Sequence, residues 1–123
     1  MSDERSGLVF VYGTLRKGAS NHWRMEAAAR RGPARVRGWL YTIDWYPGLV
    51  LDPRGDEVVG EVYEVPSKTL AALDEFEGAE FERVRAVVQP EDGKPVEAWV
   101  YAFRGGVEGR APRRPADWLL AEE

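Results

Sequence analysis

The sequence predicts an α+β fold, namely a small mixed β-barrel or a strongly curved sheet flanked by two helices. Short runs of β-branched and aromatic residues recur between glycine and proline turns, whereas only two segments have helical features. The resulting element order, β-α-β-β-β-α-β-β, is typical of α+β domains. With 123 residues, the chain fits a single domain, residues 1–123, around one core.

The first predicted strand covers residues 8–12, where apolar side chains fall on both faces, as in a buried strand. A loop with two glycines follows at residues 13–20. Asn21 is expected to cap a helix over Trp23–Arg31, because this segment is rich in alanine and is closed by a Gly-Pro pair.

Strands and turns alternate in the middle of the chain. An extended stretch at residues 36–43 leads to a Tyr-Pro-Gly turn at 46–48, where proline presets φ and glycine tolerates a positive φ. A short apolar segment at 49–51 and a second turn at 52–55 precede a strand predicted over residues 58–65.

The second predicted helix follows Ser67, its expected N-cap, and ends at Gly78. Gly78 occupies the C′ position, where the backbone is often left-handed and glycine adopts that conformation at the lowest steric cost. Leu70, Leu73 and Phe76 recur at i, i+3 and i+6. This spacing gives the helix an apolar stripe that faces the core.

The last two strands form a predicted hairpin over residues 84–89 and 96–103, joined through Asp92-Gly93. The second of these is apolar on both faces apart from one glutamate, which predicts a central strand covered on both sides. Residues 117–120 are expected to dock a small apolar clip on the domain.

The formal net charge is −4, which opposes nucleic-acid binding because such proteins usually carry a basic face. One arginine-rich stretch, Arg30, Arg31, Arg35 and Arg37, is interpreted as solvated charge. The alternative is an RNA-binding surface that also uses Trp39, and it predicts RNA affinity that falls steeply with salt.

Cysteine is absent, which excludes disulfides, thiolate metal sites and cysteine nucleophiles. The single histidine, His22, excludes a histidine-cluster metal site and is interpreted as a packing or capping residue. Residues 1–7 are polar and too short for a secretory signal, and no apolar run approaches transmembrane length. We therefore expect a cytoplasmic protein with no metal, membrane partner or nucleic-acid partner.

The segment Tyr12-Gly13-Thr14-Leu15 directly follows the first strand. A glycine there lets backbone N–H groups turn toward a carboxylate, a phosphate or a developing oxyanion. Gly13 and Gly18 have the P-loop spacing, but the Lys-Ser/Thr pair required after the second glycine is missing, which excludes nucleoside triphosphate binding. On spacing alone, a plain strand-to-helix connection stays an alternative.

Glu77 lies one residue beyond Phe76, so its carboxylate is expected beside the buried stripe and in the last helical turn. Partial burial and the helix dipole would both raise its pKa, as a general base working near neutral pH requires. A solvated glutamate at a helix end is the alternative. Asp74 and Arg83 are expected to form a structural ion pair.

Taken together in order, four motifs resemble the γ-glutamylcyclotransferase-like family, which includes γ-glutamylamine cyclotransferases and the AIG2-like proteins. The resemblance runs from about residue 8 to residue 103. The motifs are the segment from Val9 to Gly18 followed by Ser20-Asn21-His22, then Gly60-Glu61-Val62-Tyr63, Leu73-Asp74-x-Phe76-Glu77-Gly78, and Trp99-Val100-Tyr101.

The resemblance implies a five- or six-stranded mixed barrel with a cavity at one end and no cofactor. It further implies that Tyr12, Gly13, Thr14 and Leu15 bind the glutamyl head group of a small γ-glutamyl substrate, and that Tyr101 lines the pocket. Glu77 would act as the catalytic acid and base. The implied reaction releases 5-oxoproline and a free amine, so it is of transferase or lyase type.

Several alternatives stay open at this point. Phe81 stands where the family often has a tyrosine, two residues before Arg83, which bears on the choice of substrate. The departing amine could be a dipeptide derived from glutathione, lysine, a polyamine or an antibiotic intermediate. The second functional hypothesis is a non-catalytic domain that binds a small anion in the same cavity, and oligomeric state is left open.

Overall fold

The computed structural model describes residues 6–122 and contains six β-strands and one α-helix within that range. The polar segment at residues 1–5, where the sequence predicts no secretory signal, lies outside the described residues. The elements are β1 (Ser6–Val11), β2 (Ala29–Thr42), β3 (Pro47–Leu51), β4 (Asp56–Pro66), α1 (Ser67–Glu77), β5 (Phe81–Pro90) and β6 (Val96–Phe103), with 3₁₀ turns at His22–Met25 and Gly78–Glu80.

The strands close into a mixed barrel. Their order is β3-β2-β4-β1-β6-β5, and β5 pairs back onto β2 at Ala34 and Arg35. The pair β1–β6 is parallel, whereas the others are antiparallel. Five strands therefore form the closed barrel, β3 extends it at the edge of β2, and the predicted small mixed β-barrel is confirmed.

Strand β1 lies between two apolar clusters, which explains why both of its faces are apolar. Phe10 points into the barrel core with Leu40 and Val100, and all three are completely buried. Val9, on the opposite face, packs in a second cluster that contains Leu73 of α1. Helix α1 thus covers the outside of the barrel through the predicted apolar stripe, and each fully buried leucine or valine contributes about 1.5–3 kcal/mol.

The first predicted helix is wrong. A single 3₁₀ turn occupies His22–Met25, and β2 begins at Ala29, where its register with β4 starts opposite Glu64. Long-range pairing with β4 overrides the modest helix propensity of the alanine-rich segment. A register shift between Arg30 and Gly32, where φ of the glycine is +130°, lets the strand continue. One α-helix, rather than two, therefore flanks the barrel within residues 6–122.

The second predicted helix is confirmed, with a shift at its start. Pro66 occupies the N-cap position with extended backbone angles, so Ser67 is the first helical residue rather than the cap. Gly78 ends the helix with φ of 74°, as predicted. No helix within the described residues is long and apolar enough to cross a membrane.

The C-terminal segment docks differently from the prediction. Leu119 and Leu120 are 43% and 52% exposed, so they do not form the expected apolar clip. Instead, Ala116 packs against the barrel core and its carbonyl accepts a hydrogen bond from the N–H of Val59. Trp118 stacks under the guanidinium of Arg113 at 4.6 Å.

The arginine-rich stretch lies on β2 and faces solvent. Arg35 and Arg37 are both exposed and share Glu57 on the neighbouring strand. These two side chains are therefore exposed charges, each paired with a carboxylate, as the interpretation as solvated charge expects.

Candidate active site

One end of the barrel holds a cavity of about 110 Å³. Its wall combines the loop after β1, the end of α1, and the segment that leads into β3. The residues around it are Phe10, Val11, Tyr12, Gly13, Thr14, Leu15, Trp45, Tyr46, Pro47, Phe76, Glu77, Phe81 and Tyr101. All six residues predicted for the site, Tyr12, Gly13, Thr14, Leu15, Glu77 and Tyr101, lie on this one wall.

The loop after β1 lines the cavity and contains backbone N–H groups that have no acceptor among the described residues. Gly13, Thr14 and Leu15 are buried, yet their N–H groups have no acceptor within residues 6–122. The carbonyls of Gly13 and Thr14 accept bonds from the N–H groups of Arg16 (3.1 Å) and Asn21 (2.8 Å). Buried N–H groups are almost always paired, so three consecutive free ones indicate a binding site for an anionic or carbonyl group.

Glycine is required at position 13 by close contact. A Cβ added to Gly13 would lie 2.7 Å from Cγ of Pro47, which is too short for two carbon atoms. The backbone of the loop at Gly13 therefore packs directly against the ring of Pro47 at the start of β3. This contact limits how far the loop can move toward the start of β3.

Tyr12 holds the loop through its hydroxyl. The hydroxyl donates to the carbonyl oxygen of Tyr101 at 2.6 Å and accepts from the N–H of Leu49 at 3.2 Å. Burial, and then the charge of Glu77, raise the pKa of Tyr12, so the phenol stays protonated. Because both hydrogen bonds are internal, Tyr12 contributes its ring and backbone to the cavity.

A buried ion-pair network braces the far end of the same loop. Arg16 donates to Glu61 and to Asp117, each at 2.6 Å. Glu61, only 3% exposed, also accepts from the N–H of Lys17 at 3.0 Å and from the hydroxyl of Tyr63 at 3.1 Å. The C-terminal segment and β4 are thereby both tied to the loop that lines the cavity.

Glu77 is the last residue of α1, and its carboxylate lies in the cavity wall. Burial raises its pKa from 4.5 to about 7, and the positive charge of Arg24 opposes this shift. Among the described residues, no basic side chain forms an ion pair with it. Glu77 can therefore both accept and donate a proton near neutral pH.

Arg24 was not identified from the sequence, although it is the charged residue that most affects Glu77. Its guanidinium lies 3.9 Å from the ring of Phe76 and 4.3 Å from that of Trp23. Its Nε donates to the side chain of Asn21 at 3.3 Å. The pattern of the sequence placed Arg24 within a helix that does not form, so this contact was not expected.

Tyr101 connects the cavity to the predicted ion pair. Its hydroxyl donates to Oδ1 of Asp74 at 2.7 Å, and this bond, after burial, raises its pKa. Arg83 donates to the two carboxylate oxygens of Asp74 from Nε (2.8 Å) and Nη2 (3.1 Å), which confirms the predicted pair. Tyr101 is therefore a wall residue whose hydroxyl is held by Asp74.

Two aromatic residues at the cavity mouth were also missed. Trp45 is 60% exposed, and the ring of Tyr46 packs at a tilt of 59° against that of Phe81, with a centroid distance of 6.0 Å. The hydroxyl of Tyr46 donates to Glu80 at 2.5 Å, and this bond raises its pKa to about 12. The Tyr-Pro-Gly turn was the available signal, but it predicted only the change of chain direction.

His22 is confirmed as a packing residue. Its Nδ1 lies 2.9 Å from the carbonyl oxygen of Leu15, and its ring lies 5.9 Å from that of Tyr63. Within residues 6–122 no group of three His, Cys, Asp or Glu side chains could hold a metal ion.

Comparison with known proteins relates this arrangement to one family. Residues 9–120 match the family model described as gamma-glutamyl cyclotransferase, AIG2-like. The gamma-glutamylcyclotransferase family protein YtfP of Escherichia coli strain K12 is 36% identical over 113 residues, which cover 90% of this chain and 95% of YtfP. The gamma-glutamylaminecyclotransferase of Bos taurus is 38% identical over 117 residues, with 81% of this chain and 69% of that protein covered. The crystal structure of an AIG2-like protein of Mus musculus superimposes with a TM-score of 0.74 at 33% identity, and covers 80% of this chain and 77% of that one.

Proposed function

The chain belongs to the gamma-glutamyl cyclotransferase, AIG2-like family, and on that premise we propose that it converts a γ-glutamyl amine or peptide to 5-oxoproline and a free amine. The observation that carries the proposal is the position of Glu77. Burial raises the pKa of this carboxylate to about 7, and Glu77 lines the same cavity as Gly13, Thr14 and Leu15, whose N–H groups have no acceptor within residues 6–122.

The reaction is an intramolecular aminolysis. The α-amine of the substrate attacks its own γ-carbonyl carbon, which forms the ring C–N bond, and the bond from that carbon to the departing nitrogen then breaks. Glu77 takes a proton from the attacking amine and returns it to the departing amine, so no proton is gained or lost overall. A carboxylate whose pKa lies near 7 is suited to both transfers.

The wall of the cavity favours ring closure in two ways. Apolar side chains such as Phe10, Phe76 and Phe81 exclude water, so the glutamyl chain is held folded with its amine near its carbonyl. The free N–H groups of the loop are donors for the substrate carboxylate or for the oxygen that becomes negatively charged during attack. The residues present suffice for this chemistry without a cofactor, and the cytoplasm is the location that we propose.

The test is release of 5-oxoproline from a panel of γ-glutamyl amines and dipeptides by wild type, Glu77→Gln and Glu75→Gln. Glu75 lies on the same helix and is exposed, so its variant controls for the loss of one negative charge. We expect release by wild type and Glu75→Gln, and a loss of at least about a hundredfold in Glu77→Gln. Equal release by all three proteins would exclude Glu77 as the acid and base.

A second candidate, a non-catalytic anion-binding domain, is favoured by the free N–H groups alone. It predicts that 5-oxoproline and glutamate bind to wild type and Glu77→Gln with similar affinity, while no substrate of the panel is converted. Calorimetric titration of both proteins, run beside the release assay, distinguishes the two functions.

A further inference from the structure

The C-terminal segment contacts the loop after β1 through the side chain of Asp117. Its Oδ1 accepts a hydrogen bond from Nη1 of Arg16 at 2.6 Å and another from the N–H of Leu119 at 3.1 Å. The side chains of Arg16 and Asp117 are only 8% and 17% exposed, although the two residues are far apart in the chain. Neither residue lines the cavity, so any effect of Asp117 on the reaction must pass through Arg16 and the loop.

Three hydrogen bonds hold the end of the loop at which Arg16 lies. Besides the bond to Asp117, the Nε of Arg16 donates to one carboxylate oxygen of Glu61 at 2.6 Å, and the N–H of Lys17 donates to the other at 3.0 Å. Because the guanidinium of Arg16 is planar and bonds two different acceptors, both its position and its plane are restricted. Glu61 also pairs with Val11, the last residue of β1, and so holds the chain on both sides of the loop.

The position of Arg16 sets the orientation of the peptide group between Gly13 and Thr14. The N–H of Arg16 donates to the carbonyl oxygen of Gly13 at 3.1 Å. This peptide bond is trans, so its C=O and N–H groups point in opposite directions. The N–H of Thr14, which has no acceptor within residues 6–122, is therefore directed away from Arg16. A displacement of Arg16 would break this turn and let the N–H of Thr14 rotate.

Contacts within the C-terminal segment and with the barrel hold Asp117 in place. The carbonyl oxygen of Ala116, the preceding residue, accepts from the N–H of Val59 on β4 at 2.9 Å. The N–H of Arg113 donates to a carbonyl oxygen of β2, and its Nη2 donates to the carbonyl oxygen of Leu120 at 2.9 Å. Asp117 is thus an acceptor that is ordered by its own segment, and its bond to Arg16 costs little further conformational entropy.

We infer that Asp117 is a positioning residue, which acts through Arg16 to hold the peptide group of Gly13 and Thr14 in the orientation that the substrate requires. The inference rests on the proposed function, because it assumes that the loop binds the glutamyl head group. Without Asp117, Arg16 keeps its bond to Glu61 but loses one of its two restraints. The effect should therefore appear in catalysis by the folded protein as well as in its stability.

The test compares kcat/KM for 5-oxoproline release by wild type, Asp117→Ala and Asp117→Asn at a temperature at which circular dichroism shows all three to be folded. Alanine removes the acceptor, so the loop is held less precisely and kcat/KM should fall by at least about tenfold. Asparagine keeps an oxygen that accepts from Arg16, so Asp117→Asn should stay within about threefold of wild type. Equal losses in the two variants would overturn positioning through this hydrogen bond.

Arg114→Ala is the matched control. Arg114 lies in the same segment and pairs with Asp56 of β4 at 3.1 Å, so its variant also removes one ion pair between the segment and the barrel. Its guanidinium bonds to Asp56 and not to the loop. The kcat/KM of Arg114→Ala should match that of wild type. A loss as large as that of Asp117→Ala would assign the effect to the attachment of the whole segment and overturn the role of Asp117.

Nuclear magnetic resonance of isotope-labelled protein tests the loop without an activity assay. The amide resonance of Thr14 should shift in Asp117→Ala and keep its wild-type position in Arg114→Ala. Titration with glutamate should move this resonance in wild type at concentrations that leave it unchanged in Asp117→Ala. An unchanged Thr14 resonance in Asp117→Ala would overturn the inference even where 5-oxoproline release upholds the cyclotransferase. Release by none of the proteins, wild type included, would instead overturn the proposed function.

Discussion

The guanidinium of Arg24 lies 3.9 Å from the ring of Phe76, which places a fixed positive charge beside Glu77, the next residue of α1. Arg24 does not pair with that carboxylate, since its Nε bonds to Asn21. Burial is the larger influence and raises the pKa of Glu77 to about 7, whereas Arg24 lowers it. The proton affinity of Glu77 therefore reflects two opposed effects, and one of them can be removed.

Replacing Arg24 with glutamine should move the pH dependence of catalysis. The free carboxylate of Glu77 accepts the first proton, so kcat/KM rises with pH through its pKa, near 7 in wild type. Without Arg24, the charged form loses a favourable interaction and the pKa rises. The acidic limb of the pH–rate profile should shift to higher pH in Arg24→Gln.

The control for this shift is Arg35→Gln, which removes an exposed arginine paired with Glu57 on β2. Its profile should superimpose on that of wild type. A shift to lower pH in Arg24→Gln, or none, would show that the charge of Arg24 does not act on the titrating group.

The raised pKa of Glu77 should make the folded protein less stable as the pH increases. Below pH 4.5 the side chain is protonated in both folded and unfolded chains. Between pH 4.5 and about 7, Glu77 is ionised in the unfolded chain but still largely protonated in the folded one. Glu77 therefore makes the folded state progressively less stable as the pH rises through this range. Glu77→Gln removes this penalty, and it should be more stable than wild type by about 3 kcal/mol at pH 8 but not at pH 4.

Urea unfolding of wild type, Glu77→Gln and Glu75→Gln at these two pH values measures the effect. Glu75 is exposed, so its variant should show a much smaller difference between the two values. If Glu77→Gln gains no stability at pH 8 relative to pH 4, the carboxylate ionises in the folded protein as freely as in water.

The parts of the fold that were predicted correctly are those specified by local pattern. The run at residues 8–12 is apolar on both faces because β1 packs on the barrel core and on α1 at once. The helix end at Gly78 follows from a residue that readily adopts φ of 74°. By contrast, Trp23–Arg31 has helix-forming residues but pairs with β4, an interaction between segments distant in the chain.

In the candidate site, too, the residues in local motifs were predicted, whereas those brought in by contacts between distant segments were not. The loop from Tyr12 and the carboxylate of Glu77 carry recognisable motifs, and the structure places them on one wall. Trp45 and Arg24 reach that region only because the closed barrel brings their segments to the same end. No spacing of residues in the sequence indicates how the barrel closes, so these two residues could not be assigned to the site from the sequence.

The buried network around Arg16 should contribute much more to stability than any surface ion pair. Arg16→Ala leaves Glu61, which is 3% exposed, without its main counter-charge, and such a loss costs about 3–5 kcal/mol. The remaining donors to Glu61, the N–H of Lys17 and the hydroxyl of Tyr63, place the expected value near the lower end.

The comparison is the free energy of unfolding in urea for Arg16→Ala and Arg35→Ala. Arg35 and Glu57 form an exposed pair, for which about 0–1 kcal/mol is typical. Asp117→Ala, which leaves Arg16 bound to Glu61, should lie between the two. Similar losses for Arg16→Ala and Arg35→Ala would mean that the buried network adds no more than a surface pair.

Gly13→Ala should impair catalysis by displacing the loop that carries the free N–H groups. The new methyl group would lie 2.7 Å from Cγ and 2.9 Å from Cδ of Pro47, so either the loop or the start of β3 must move. A displacement of about 1 Å in a group that positions a substrate can lower the rate about a hundredfold. We therefore expect kcat/KM for 5-oxoproline release to fall by at least about tenfold, with a loss of about 1–3 kcal/mol in stability.

Gly7→Ala, a substitution within β1, separates this effect from the general cost of adding a methyl group to a glycine in this part of the chain. There the added Cβ would lie 3.5 Å from the ring of Trp99, an ordinary contact, and Gly7 does not line the cavity. Its activity should match that of wild type. Unimpaired release by Gly13→Ala would show that the contact with Pro47 relaxes without moving the N–H groups, and that their position at Gly13 is not critical for the reaction.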